Sequence, residues 1–247
     1  QETIEKADKA GFEVLYGDTD SIFMLMGKKT KGDALAFMKK INAELPGDME
    51  LELEGFYPRG VFVTKKNAEG AGAKKKYALI GEDGRIKIRG FELVSRDWSN
   101  IAKVTQRKVL EAILKHGSKE MAVKIVKDVI ERLKKGDVPL EELTIYTQMR
   151  KDPRKYDIKS PELSAAQKGI AAGMQIERGT VIGYVITKKG STISEKACLV
   201  EMAPDYDPNY YIDNQILPSV LKILKELGYS EDDLKFKGEQ KGLSHFF

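Results

Sequence analysis

Cysteine occurs once in the 247 residues, at Cys198, and histidine only twice, at His116 and His245. A single thiol excludes an internal disulfide and a cysteine-built zinc site, and it suits a reducing compartment. Neither histidine has a partner at metal-ligand spacing, and no Ser/His/Asp or Cys/His arrangement can be argued from the sequence. No run is long or apolar enough to cross a membrane. No secretory leader is visible, so the expected location is the cytoplasm. The chain opens at Gln1 rather than Met, as one lacking its true N-terminus would. A Gly-x-x-x-x-Gly-Lys-Ser/Thr loop is missing too, which removes the common NTPase reading. There is no internal repeat and no low-complexity tract.

What is present is balanced. The 42 basic and 38 acidic side chains leave a net charge of +4, which permits nucleic-acid binding without demanding it, so local clustering has to decide. An apolar share of 41% supports a real core, in one large domain or two small ones. Abundant Lys and Glu with little Asn or Gln is the surface chemistry of heat-stable proteins.

Periodicity divides the chain. Residues 2–10 read as a helix ending at Gly11, and Asp33 to Leu45 as a second one stopped by Pro46-Gly47. Met49, Leu51 and Leu53 alternate with acids, as a half-buried strand would. Further strands are expected at Gly60 to Thr64, Tyr77 to Ile80 and Arg85 to Arg89, giving a mixed sheet with packed helices up to about residue 95. Helix then dominates. Trp98, Ile101, Ala102, Val109, Leu110, Ile113 and Leu114 form one apolar stripe ending at Gly117. Ala122, Ile125, Val126, Val129, Ile130 and Leu133 form a second, between Ser118 and Gly136. Ser160-Pro161 opens a third helix. A hairpin around Lys189-Gly190 is expected to join 181–187 to 192–199, and a last helix to run from Asp207-Pro208 to Leu227, bent at Pro218.

Six residues carry the chemistry: Tyr16-Gly17-Asp18-Thr19-Asp20-Ser21 read as a tight turn between two buried-type strands, 12–15 and 22–26. Side chains two apart share a strand face, so Asp18 and Asp20 can point the same way at a hairpin tip. Two carboxylates held there repel unless a cation lies between them. Oxygen-only ligands favour a hard ion such as Mg²⁺, which takes one or two carboxylates together with substrate phosphates. A bare Asp-x-Asp would be an ordinary turn. An EF-hand is excluded because its fifth and sixth positions hold Ile22 and Phe23.

The full string with its flanking strands resembles motif C of the family B DNA polymerases, the palm hairpin that carries catalytic aspartates. A basic run, Lys74-Lys75-Lys76-Tyr77, follows at the distance where that family carries its Lys-Lys-Arg-Tyr-like motif. The resemblance implies a contact to the minor groove of primer-template DNA, with Lys75 and Tyr77 facing the groove. Many relatives place the lysines directly after a Phe-Val-Thr strand. Here 67–73, Gly/Ala-rich in character, separates two clusters, so Lys65 and Lys66 stay open as substitutes. Lysine runs attract phosphates without sequence preference. Arg89-Gly90-Phe91-Glu92-Leu93-Val94-Ser95-Arg96-Asp97-Trp98 resembles the palm-to-thumb transition of archaeal members. Ser160-Pro161, Gly183-Tyr184-Val185 and Tyr210-Tyr211-Ile212 resemble their thumb, where Lys151, Arg154 and Lys155 are candidate grips on the DNA backbone.

The last eight residues fit the clamp-binding (PIP-box) pattern Gln-x-x-aliphatic-x-x-aromatic-aromatic. One helical turn after Gln240 would set Leu243 beside Phe246 and Phe247 as an apolar plug for a sliding clamp. The polar, Lys/Gly-rich lead from Lys235 to Gly242 reads as a tether.

Nucleotidyl transfer by two cations needs more carboxylates than Asp18 and Asp20 supply. The family's motif A aspartate, its nucleotide-gripping motif B helix and its exonuclease domain are not found here. The chain therefore resembles the C-terminal portion of a family member alone, nearest in character to the small subunit of the split family B polymerase of thermophilic methanogenic archaea; a proteolytic or engineered fragment would read the same. The implied fold class is α+β: a partial palm (an antiparallel sheet with packed helices) over 1–95, a mainly helical thumb with a β-hairpin over 96–234, and a flexible tail over 235–247. The implied partners are a larger polymerase subunit carrying motifs A and B and the exonuclease, primer-template DNA, a dNTP and the sliding clamp. Two Mg²⁺ ions would be shared with a partner-chain carboxylate. Asp20 would bind both and Asp18 would be an auxiliary ligand, and the chain alone would be inactive. A non-catalytic adaptor tethering a polymerase to DNA and the clamp is the alternative, because it would need the lysines and the tail but not the aspartates.

Overall fold

Thr30 opens the best-defined helix of the first third of the chain with a capping box. Its hydroxyl accepts from Asp33 N at 3.2 Å, while the Asp33 carboxylate accepts from Thr30 N at 2.7 Å. In this computed structural model the described residues are 2–17, 21–64, 72–95, 97–155 and 160–235. The chain divides into two compact units, Gln1–Arg89 and Gly90–Phe247.

The first unit runs α1 (Glu2–Lys9), β1 (Glu13–Gly17), β2 (Ile22–Leu25), α2 (Lys31–Glu44), β3 (Arg59–Thr64), β4 (Gly72–Ile80) and β5 (Ile86–Arg89). The mixed sheet expected up to residue 95 is, among the described residues, two antiparallel sheets: the β1-β2 hairpin, and β3-β4-β5. Phe12, Phe37 and Ile41 form a core under the hairpin and the two helices, and Lys6 bridges Glu2 and Glu44, each at 2.8 Å, tying α1 to α2.

Two further expectations are corrected here. The strand read at 49–53 does not form. Asn42 takes both backbone groups of Leu51, donating from Nδ2 to its carbonyl at 3.0 Å and accepting from its N–H at 2.8 Å. With its backbone paired to a side chain, that residue has nothing to offer a ladder. Nor is β1 buried throughout. The pairing register slips between Val14 and Tyr16, and Leu15, the residue at the slip, is 45% exposed.

In the second unit α3 (Asn100–His116) and α4 (Lys119–Lys135) pack against each other through the two apolar stripes, with Val109, Leu110, Ala122, Val126 and Leu133 fully buried. Burying a valine or leucine side chain stabilises the fold by about 2 kcal/mol. Gly117 and Gly136 end the two helices in the left-handed region, at φ 64° and 78°. The chain continues through α5 (Leu140–Leu143), β6 (Ile145–Gln148), α6 (Pro161–Ala171), β7 (Val181–Ile186), α7 (Ile193–Lys196), β8 (Ala197–Leu199), α8 (Pro208–Tyr211), α9 (Leu217–Lys225) and α10 (Glu231–Lys235). A third antiparallel sheet has the order β6-β7-β8.

The expected hairpin at Lys189-Gly190 is modified. Thr192 caps a helical turn, accepting from Glu195 N, so the returning arm enters the sheet only at Ala197. On its other side β7 pairs with β6, whose four residues were too short to stand out in sequence. The last helix is interrupted by a π-helical turn at Ile212–Ile216, immediately before the proline where a bend was expected. Gly169 on α6 lies so close to Leu199 and Ile176 that a Cβ would collide with the leucine methyl.

A buried polar network fastens the start of the second unit. Gln215 Oε1 accepts from Ser99 N and Ser99 Oγ, and Gln106 accepts from Leu93 N while donating to Glu92 and to the Ser219 carbonyl. Glu92 and Leu93 are thereby bonded to the body of α3, Ser99 to the π turn, and α3 in turn to the helix that follows it.

Candidate active site and nucleic-acid interface

Asp18 and Asp20 lie outside the described residues, but the strands that present them are defined. β1 and β2 pair as far as Gly17 opposite Ile22, with Tyr16 opposite Phe23 one step below. The ends of the aspartate turn are thus adjacent backbone positions of one antiparallel ladder. At Gly17 an added Cβ would approach Ile4 Cδ1 to 3.2 Å, so α1 closes on the base of the turn.

Under the turn is an aromatic cluster. Tyr16 and Phe23 pack on Phe62 of β3 and Tyr77 of β4, with ring centroids 5.0 Å (Phe23 to Tyr77) to 6.0 Å (Tyr16 to Tyr77) apart in tilted and edge-on arrangements. Such pairs add about 1 kcal/mol each beyond the area they bury. The sequence placed the aspartate turn and the Lys74–Tyr77 run as separate motifs. The rings join them, because the residue two before Asp18 touches the residue that ends the lysine run.

Tyr77 is 8% exposed, so its ring is a packing element of this unit. Lys74, Lys75 and Lys76 lie on β4, and Lys76 is half-buried. The β3–β4 register jumps between the pairs Phe62–Tyr77 and Thr64–Gly72, so Ala73 to Lys76 stand opposite the single Val63. The lysines therefore occupy a break in the ladder. Lys65 and Lys66 lie outside the described residues. Sequence reading missed two neighbouring cations on β5, Lys87 and Arg89. Arg89 pairs across the ladder with Tyr77 and is exposed. Lys87 contacts Glu54, and burial, with Arg89 beside it, holds its ammonium pKa below the ordinary lysine value. Their signal was the alternation Ile86-Lys87-Ile88-Arg89.

In the second unit Lys151, Arg154 and Lys155 are all exposed around the short 3₁₀ turn Pro153–Lys155, where Asp152 accepts from Arg154 N at 3.0 Å. A shallow cleft of about 360 Å³ nearby is lined by Asp97, Thr147, Gln148 and Arg150. Among the described residues no three His, Cys, Asp or Glu side chains gather into a metal cluster. Gln240, Leu243, Phe246 and Phe247 lie outside the described residues. The described chain ends on α10, where Leu234 is buried and Lys235 bridges Asp213 at 2.8 Å and Glu231 at 2.7 Å. No helix among the described residues is long and apolar enough to cross a membrane.

The profile described as DNA polymerase family B matches residues 1–227. A DNA polymerase of Methanocaldococcus jannaschii is 47% identical over the whole chain, which spans 15% of that relative's length. A DNA polymerase of Pyrococcus glycovorans is 47% identical over 97% of the chain, which spans 31% of it. The solved family B DNA polymerase of Pyrobaculum calidifontis superposes with a TM-score of 0.72 at 34% identity, covering 93% of this chain and 29% of that one.

Proposed function

Because the chain belongs to DNA polymerase family B, we propose that it supplies part of the active site of a DNA-directed DNA polymerase and works only together with a larger chain carrying motifs A and B and the exonuclease. The chain spans less than a third of each relative described above. The observation that carries the reading is the Tyr16–Phe23–Phe62–Tyr77 cluster, because it fixes the strands bearing the aspartates against the strand bearing the lysines.

Asp18 and Asp20 offer carboxylate oxygens alone, the donor type that Mg²⁺ takes, and two such groups are a partial set for two ions. In this reading Asp20 holds both ions, Asp18 assists, and a partner-chain carboxylate completes the shell. Bound there, the ions supply charge neutralisation to the attacking 3′-oxygen and the phosphates of the dNTP. The lysines at 74–76, or those at 65–66 in their place, hold primer-template DNA along its minor groove near that turn. Gln240, Leu243, Phe246 and Phe247 dock on a sliding clamp, raising the effective concentration of DNA without new contacts to it.

Reconstitution tests this. Mixed with a larger family B chain carrying motifs A and B, the protein should support Mg²⁺-dependent primer extension, and Asp20→Ala should abolish it while DNA binding remains. Extension by the chain alone, or undiminished extension by the variant, overturns the reading. Survival of extension in Asp20→Ala, with loss on deleting 240–247, would leave an adaptor instead.

A further inference from the structure

The chain holds a single Asp-Gly pair, Asp83-Gly84, and no Asn-Gly pair. In such a pair the glycine nitrogen has no Cβ beside it and can attack the carboxyl carbon of the aspartate. The pair lies in the turn between β4 and β5, where Glu82 to Arg85 are all exposed. Gly84 adopts φ 76°, and a Cβ on it would meet nothing within 4 Å, so no other part of the chain packs on that side. The folded turn nevertheless holds both reacting groups. Gly84 N donates to the Gly81 carbonyl at 3.0 Å, and Asp83 Oδ1 accepts from Arg85 N at 2.9 Å. Arg85 Nε lies 3.0 Å from Asp83 Oδ2. One residue, Arg85, thus takes both carboxylate oxygens, while the attacking N–H is engaged by Gly81. Lys31, the first residue of α2, meets Glu82 at 2.6 Å and anchors the turn from outside.

We propose that Asp83 is a modification site, the place where this chain forms isoaspartate, and that Arg85 is the brake that slows it in the folded turn. Gly84 N forms a bond to Asp83 Cγ. The protonated carboxyl group gives up its hydroxyl, which leaves as water with the amide proton, and a five-membered succinimide closes. Water then opens the ring. Addition at the side-chain carbonyl restores aspartate. Addition at the main-chain carbonyl leaves the backbone running through the side chain, which is isoaspartate. One water is lost and one regained, so the step needs no oxidant or other reactant. The product lengthens the turn by one carbon where it closes on the Ile80–Ile86 pair, at the end of the strand that carries Tyr77. None of this rests on the polymerase reading.

The test ages the full chain at a temperature below its unfolding midpoint. Isoaspartate is read as methyl transfer from labelled S-adenosylmethionine by a protein-isoaspartate methyltransferase, and is located by mass spectrometry of the peptides spanning residue 83. Methyl-accepting sites should accumulate at residue 83. The same chain in guanidinium chloride, with the turn undone, should gain them faster by about fivefold or more, the effect of releasing one hydrogen bond of ordinary strength. Arg85→Ala truncates a side chain that is 89% exposed and should move the folded rate toward the unfolded one at an unchanged thermal midpoint. Asp83→Glu cannot close a five-membered ring and should abolish methyl acceptance in that peptide. Isoaspartate arising chiefly at another residue, or none at 83 in either state, overturns the site. Equal rates in the folded and unfolded chains, or an Arg85→Ala rate equal to that of the unmodified folded chain, overturn the brake.

Discussion

The ring of Tyr77 lies 5.0 Å from that of Phe23, which joins the strand leaving the aspartate turn to the strand ending the lysine run. A residue expected to face a DNA groove is here buried against the two strands that flank that turn. Tyr77→Ala should destabilise the first unit by about 3 kcal/mol, as large-to-small changes in a packed cluster do, whereas Tyr77→Phe should keep the rings in place. Thermal unfolding of the two variants checks this. Equal midpoints would show that the cluster contributes little.

Gln215 and Ser99 are far apart in sequence and bonded twice in the interior, at 2.9 and 3.0 Å. Gln215→Ala strands a buried N–H and a buried hydroxyl, and should cost about 2 kcal/mol or more. A urea titration of the second unit's transition would show the midpoint falling with the slope unchanged.

Asp207 caps α8, accepting from Asn209 N at 3.0 Å, and its other oxygen meets Lys196 Nζ at 2.7 Å. Burial pushes this carboxyl's pKa upward, but the Lys196 ammonium and the Tyr210 and Asn209 N–H groups outweigh it, leaving the pKa below the usual aspartate value. A depressed folded value gives stability that is present above the unfolded pKa, near 3.9, and lost as pH falls through the folded one. Asp207→Asn keeps a good cap and loses the charge. It should therefore be less stable than the unmodified chain at neutral pH, with the gap closing below about pH 4. A gap independent of pH would remove the ion pair from the account.

Asn42→Ala should release the backbone of Leu51, which has no ladder to fall back on. Hydrogen exchange at the Leu51 amide should accelerate, with a stability cost of about 1 kcal/mol. Exchange as slow as before would place its protection elsewhere.

How much of this was legible in the sequence depended on range. The helix stops at Gly117 and Gly136, the stripes of α3 and α4, and the hairpin around residues 18–20 were readable because capping, periodicity and turn chemistry are local. The half-strand at 49–53 misled because alternation reports exposure, and Asn42 had already taken the backbone of Leu51. The segment 92–95 looked like the end of the sheet, yet Gln106 binds it to α3 through a contact between residues distant in sequence. The aspartate and lysine motifs were both visible, but their junction was not. It is made by four rings from four strands, and no spacing rule links Tyr16 to Tyr77. Lys87 and Arg89 went unread because each is an ordinary outward residue of a four-residue strand until β4 is laid beside it.

The collision that awaits any side chain larger than hydrogen at Gly169 limits how this molecule can diversify. Codon randomisation there should return glycine almost alone, because alanine, otherwise the best helix former, has nowhere to put its methyl. The usual glycine-to-alanine replacement therefore offers α6 no gain against heat, because Gly169 is the single glycine of that helix.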